Sequence, residues 1–233
     1  MEDERPQVIE WAQGILNNHQ GDAVIIDTET TGLGEEDQIV QIGIIDLAGN
    51  VLLDALIKPT IPIPPAAIAV HHIDDIAVAR ALPYTALHPA INRLLRNAYV
   101  ITYNAVYDKR MLEQTQRAHG YGVADNIQAK IWDCAMLAYA RFWGDYNDYR
   151  GSYRWQKLTI ACEQQGIQVV GAHGAVGDCR MTLALIKRLA EARVEAEDFV
   201  PTPPDEIECF EDEAIIFEDG ADQWAIDPDE GDR

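Results

Sequence analysis

The chain has 233 residues, 48% hydrophobic and 24% charged, with a formal net charge of −21. That balance is globular, and no apolar run approaches the ~20 residues that cross a bilayer, so a membrane role is excluded, while the acidic start MEDERPQ lacks the basic-then-apolar order of a secretory leader. Four scattered cysteines (Cys134, Cys162, Cys179, Cys209) form no C-x-x-C pair, which disfavours a zinc knuckle or a disulfide framework and fits a reducing, cytoplasmic setting.

Residues 5–19 read as an amphipathic helix, and Ala23–Asp27 as a short buried strand. Ile39–Leu47 is a second strand, Gly49-Asn50 a hairpin turn signal and Val51–Lys58 a third strand, so the three form an antiparallel meander. The proline-rich PTIPIPPAA (59–67) reads as a loop. Helices are expected over Tyr84–Asn97, Ala105–His119, Asp133–Phe142, Lys157–Gln165 and Gly177–Val194, with strands at Tyr99–Thr102 and near Ala129–Trp132. Three strands followed by alternating helices and strands predict an α/β domain, a mixed five-stranded sheet flanked by helices. The domain is expected over 1–200. The last 33 residues, with 13 acids against Arg233 and prolines at 201, 203 and 204, read as an acidic tail, 201–233.

The chemistry sits in three stretches. In AVIIDTETTGLG, Asp27 and Glu29 stand where the first strand ends, and side chains two apart on an extended chain share a side. In ITYNAVYDKRML, Asn104 suits a helix N-cap and Asp108 lies in the first turn beyond it. In GAHGAVGDCRMT, His173 lies in a glycine-rich loop and Asp178 opens the last helix, where an anion is favoured. Four carboxylates converging at one end of a sheet cannot all stay ionised unaided. Hard divalent cations resolve this, because Mg²⁺ and Mn²⁺ take oxygen ligands and leave positions open for water and phosphate. Two such ions activate a water and stabilise a leaving oxygen, and a histidine has the pKa range to accept the water's proton.

The motifs DTETTG, NAVYD and HGAVGD resemble the three exonuclease motifs of the DEDDh 3′–5′ exonucleases, which include the proofreading subunit of bacterial replicative DNA polymerase and ribonuclease T. The spacings D-x-E, N-x3-D and H-x4-D occur in the family's order, and the resemblance covers about residues 22–192. It implies a ribonuclease H-like fold and release of 5′-mononucleotides from a 3′ end. Asp27, Glu29, Asp108 and Asp178 would hold two Mg²⁺ ions, with Mn²⁺ able to substitute, and His173 would be the general base. Thr30, Thr31, Gly32 and Leu33 would lie under the terminal nucleotide. Tyr103 and Tyr107 stand where the family often has His and Phe, and AVHHIDD resembles its V-H-G-I segment, with His71 toward the substrate and His72 where glycine is usual. Asn104 and Tyr107 join the substrate-side candidates.

The segment RFWGDYNDYRGSYRWQK (141–157) holds 6 of the 18 aromatic residues, with four basic residues against two acids. Tyr146, Tyr149, Arg150 and Arg154 are its substrate candidates, through base stacking and phosphate contact, and Trp155 is expected to pack inward; a packed loop is the alternative. Single-stranded or frayed DNA 3′ ends are the preferred substrate. An RNA-trimming enzyme of the ribonuclease T type and a non-catalytic polymerase-binding subunit stay open. So do a homodimer and a protein partner docking on the acidic tail.

Overall fold

The computed structural model describes residues 3–122, 125, 127–169 and 174–193. His173 and the acidic tail, 201–233, lie outside the described residues.

Helix α1 (Arg5–Asn18) leads into the meander β1 (Ala23–Thr30), β2 (Ile39–Asp46) and β3 (Val51–Lys58). The β2–β3 turn closes as the Gly-Asn signal requires. Gly49 takes φ +91°, open to glycine without strain, and the Asp46 carboxylate accepts from Asn50 N at 2.8 Å. Short helices α2 (Pro65–His71) and α3 (Asp75–Val78) follow, then β4 (Leu82–Pro83) and α4 (Tyr84–Leu95). The remainder runs β5 (Tyr99–Thr102), α5 (Ala105–Ala118), β6 (Ile131–Cys134), α6 (Ala135–Trp143), β7 (Tyr146–Asn147), β8 (Ser152–Tyr153), α7 (Leu158–Gln164) and α8 (Ala175–Glu191).

The sheet order is β4-β3-β2-β1-β5-β6, with β1 and β2 antiparallel and β5 and β6 parallel to β1. Its two faces are covered separately. Ile25, Ile45 and Ile101 pack under α1, α6 and α8. Val24, Ile26 and Val100 pack under α4 and α5. Both faces of β1 are therefore buried, which is why its sequence starts as a continuous apolar run rather than an alternation. This mixed sheet flanked by helices is the ribonuclease H-like arrangement the motifs implied.

The differences from the sequence reading are local. A sixth strand, the two-residue β4, pairs with β3 through Ile57 and Leu82. Part of the proline-rich loop becomes α2, because a proline at the first helical turn needs no N–H there. Strand β1 runs three residues beyond the expected end at Asp27, since β2 continues to pair with it through Thr28, Glu29 and Thr30. Asp27 and Glu29 thus lie within β1, not beyond its end.

Candidate active site

In β1 the side chains of Asp27 and Glu29 point to the α8 face, as Ile25 does. Asp178, in the first turn of α8, comes down on them. The carboxylate oxygens of Asp27, Glu29 and Asp178 lie within 4.8 Å of one another. Two residues of β2 that the sequence reading missed set this closeness. Gly43 is the register partner of Asp27, and a Cβ there would stand 2.7 Å from Ala175 C and Val176 N. Gln41, the partner of Glu29, accepts from Ala175 N at 3.3 Å. The buried Cys179 thiol donates toward Gly43 O at 3.4 Å. Any side chain at position 43 lifts α8, and Asp178 with it, off the sheet. The available signal was a glycine inside a β-branched strand, which marks close backbone approach.

Asp108 arrives from the other face. Asn104 caps α5, its side chain accepting from Tyr107 N at 3.5 Å, and places Asp108 in the first turn. Asp108 is 3% exposed and accepts from Thr28 Oγ1 at 2.8 Å. Thr28 points away from its neighbours Asp27 and Glu29, so Asp108 stands outside the carboxylate trio but inside its field.

The electrostatics are those of crowded, dehydrated acids. Burial, then the charges of Asp108, Asp178 and Glu29, push the Asp27 carboxyl well above the usual carboxylate range. Burial and the charges of Asp178 and Asp108 push Glu29 up to about 7. Burial raises Asp108 to about 7, against the opposing hydrogen bond of Thr28. An all-oxygen donor set from two rigid elements fits hard divalent ions.

The turn after β1 is bound to its own surroundings. Thr31 Oγ1 donates to Asp37 Oδ1 at 2.6 Å, and Thr31 N donates to Gln38 O at 2.8 Å. The Thr30 and Tyr107 hydroxyls meet at 2.6 Å, and both reach Gly32 O, at 2.8 and 3.2 Å. A Cβ on Gly32 would stand 2.7 Å from the Asp37 carboxylate. His71 is buried, with Nδ1 accepting from Ile73 N at 3.0 Å. Its Nε2 therefore carries the proton and donates to Thr30 O at 3.1 Å. His72 takes the left-handed conformation, φ +59°, at the end of α2, so glycine's usual place there has a backbone reason. The polar atoms of Thr30, Thr31, His71 and Tyr107 hold the turn, and the turn presents Leu33, 45% exposed.

Tyr149, 95% exposed, lies in the β7–β8 connection. Arg154 pairs with Asp145 at 3.0 Å. Trp155 does not pack inward as expected: it is 51% exposed.

A family model described as exonuclease, RNase_T, matches residues 24–186. The chain belongs to this exonuclease family. It is 41% identical over 176 residues to the uncharacterized exonuclease CP81 of Escherichia phage 186, covering 74% of this chain and 90% of that protein. It is 28% identical over 166 residues to exodeoxyribonuclease 10 of Escherichia coli strain K12, covering 70% and 66%. The fold is shared with E. coli exonuclease I in complex with a dT13 oligonucleotide: the TM-score is 0.58 at 21% identity, covering 75% of this chain and 42% of that one. An exonuclease-family chain is a nuclease-type hydrolase with nucleic acid as its substrate and divalent metal as its requirement. Among the described residues, no helix is long and apolar enough to cross a membrane.

Proposed function

We propose that the protein is a 3′–5′ exonuclease of the DEDDh type that removes 5′-mononucleotides from single-stranded or frayed DNA ends. The observation that carries the reading is the trio Asp27, Glu29 and Asp178, closed to within 4.8 Å from two separate elements. DNA is favoured because exodeoxyribonuclease 10 is a relative and the exonuclease I structure holds dT13.

Asp27, Glu29 and Asp178 would hold two Mg²⁺ ions, with Asp108 contributing from the α5 side. Bound there, divalent ions neutralise charge at the phosphate and make water acidic enough to deprotonate near neutral pH. His173 accepts the proton of the attacking water. The water oxygen bonds to phosphorus, the P–O3′ bond breaks, and the upstream strand keeps the 3′ oxygen. Leu33 packs against the terminal base on the turn that His71, Thr30 and Tyr107 brace.

The test incubates the protein and its Asp27→Asn variant with 5′-labelled single-stranded DNA and matching RNA, in Mg²⁺ or EDTA. The reading requires a Mg²⁺-dependent ladder shortening from the 3′ end, stronger on DNA and absent in the variant. Cleavage that survives EDTA overturns the metal mechanism. Faster shortening of RNA moves the chain to the trimming class.

A further inference from the structure

The segment between α6 and α7 is a small module at the rim of the sheet. Strands β7 and β8 pair Tyr146 with Tyr153, and the two rings meet edge-on with centroids 5.1 Å apart. Tyr153 OH donates to the Glu4 carboxylate at 3.1 Å, tying the hairpin to the start of α1. Arg154 N donates to Asp145 O at 2.8 Å. Two residues on, Gln156 O accepts from the buried Tyr103 OH at 2.6 Å. Tyr103 directly precedes Asn104, the cap of the helix that carries Asp108.

Trp155 is therefore clamped on both sides, by Arg154 N before it and Gln156 O after it, yet its ring is half exposed. A tryptophan left in water on a fixed backbone forgoes burial without gaining freedom, which is the arrangement of a ligand-facing ring rather than of a mobile loop. Its place follows from topology. Strands β5 and β6 run parallel to β1, so their carboxyl ends share the rim that bears Asp27 and Glu29. The neighbouring exposed side chains are Arg154, held by Asp145, and Lys157. In a chain of net charge −21, a segment with four basic residues against two acids is a local exception. An exposed indole beside cations fits an unpaired base with its phosphates.

We propose that Trp155 is a stacking platform for an unpaired base upstream of the 3′ end, with Lys157 beside the adjoining phosphate. This rests on the exonuclease reading of the carboxylate site and deepens it: the platform favours single strands, because a base already stacked in a duplex has no free face to offer.

The test uses the full chain and its Trp155→Ala and Trp155→Phe variants. The substrates are the p-nitrophenyl ester of thymidine 5′-monophosphate, which has no upstream base, a single-stranded oligonucleotide, and the same oligonucleotide with abasic sites at the second to fifth positions from its 3′ end. The ratio of oligonucleotide to ester cleavage falls about tenfold in Trp155→Ala, within what loss of one base stack gives. The fall is carried by KM, Phe restores most of it, and abasic sites erase the difference between the variant and the parent. An unchanged ratio overturns the platform, and so does parallel loss of ester and oligonucleotide cleavage, which marks the ring as structural. A parent protein that cleaves neither substrate defeats the exonuclease reading instead. The platform is then judged by fluorescence anisotropy of the labelled oligonucleotide: weaker binding to Trp155→Ala supports it and equal binding overturns it.

Discussion

The two faces of β1 carry acids in opposite ways. On the α5 face Asp108 is buried, and the hydrogen bond from Thr28 offsets part of the cost of its charge. On the α8 face Asp27 and Glu29 are raised by burial and by their neighbours' charge, with no hydrogen bond among the causes. One carboxylate is built into the protein. The other group is assembled against its own repulsion by Gly43 and Gln41, which bring Asp178 onto the sheet. The comparison teaches that buried acids can be held in two different ways within one site. What separates the two faces is whether the protein itself supplies the compensating donors.

The largest expected effect sets the faces directly against each other. Asp27→Asn brings DNA cleavage to background yet raises the melting temperature of the metal-free protein, because it removes a repelling charge. Asp108→Ala lowers that temperature, since it strands the Thr28 hydroxyl at about 1–3 kcal/mol, worth roughly 2–4 °C per kcal/mol in a chain of this size. Thermal melts in EDTA decide it, and two variants moving in the same direction would break the comparison.

Gly43→Ala comes next. Its methyl meets backbone, not a flexible side chain, so the cost is an overpacking of about 1–3 kcal/mol together with a displaced Asp178. Cleavage falls far more than stability does, and the Mg²⁺ concentration for half-maximal rate rises. A variant with normal Mg²⁺ dependence would remove Gly43 from the account.

The pH response separates the metal-free from the metal-loaded state. Glu29 and Asp108, at about 7 when folded and near 4 when unfolded, bind protons more tightly in the folded protein. Their penalty is full above pH 8 and is relieved as pH falls through 7, so the metal-free protein gains stability from pH 8 to 6.5. Below about 6.5 the depressed histidines His71, His88 and His119 oppose the gain. Saturating Mg²⁺ removes the rise, and Glu29→Gln reduces it. A melting temperature flat over that window in EDTA contradicts the crowded-acid picture.

The smallest effect tests the brace beside the trio. His72→Gly relieves the positive φ at the end of α2 and adds about 0.5–1 kcal/mol, with cleavage unchanged while His71 keeps its bond to Thr30 O. Calorimetry of the two proteins measures it.

Much of this was legible from residue order. The meander, the two later strands, the N-cap at Asn104 and the acids Asp27, Glu29, Asp108 and Asp178 follow from apolar periodicity and short spacings, which are local quantities. Other features were not, because they depend on partners far along the chain. Thr30, Thr31, His71 and Tyr107 read as substrate contacts, while their polar atoms are taken up by Gly32, Asp37, Gln38 and each other. Trp155 read as core, but bonds from Arg154 N to Asp145 O and from Tyr103 OH to Gln156 O fix the backbone on either side of it and its ring stays half exposed.

By itself, then, the sequence determined which residues could do the chemistry and which elements carry them, since hydrophobic period and motif spacing act over a few residues. The tertiary structure alone decided which acids share a site. Contact between β1 and α8 spans some 150 residues and turns on the absence of one Cβ at Gly43, a condition that no local pattern encodes.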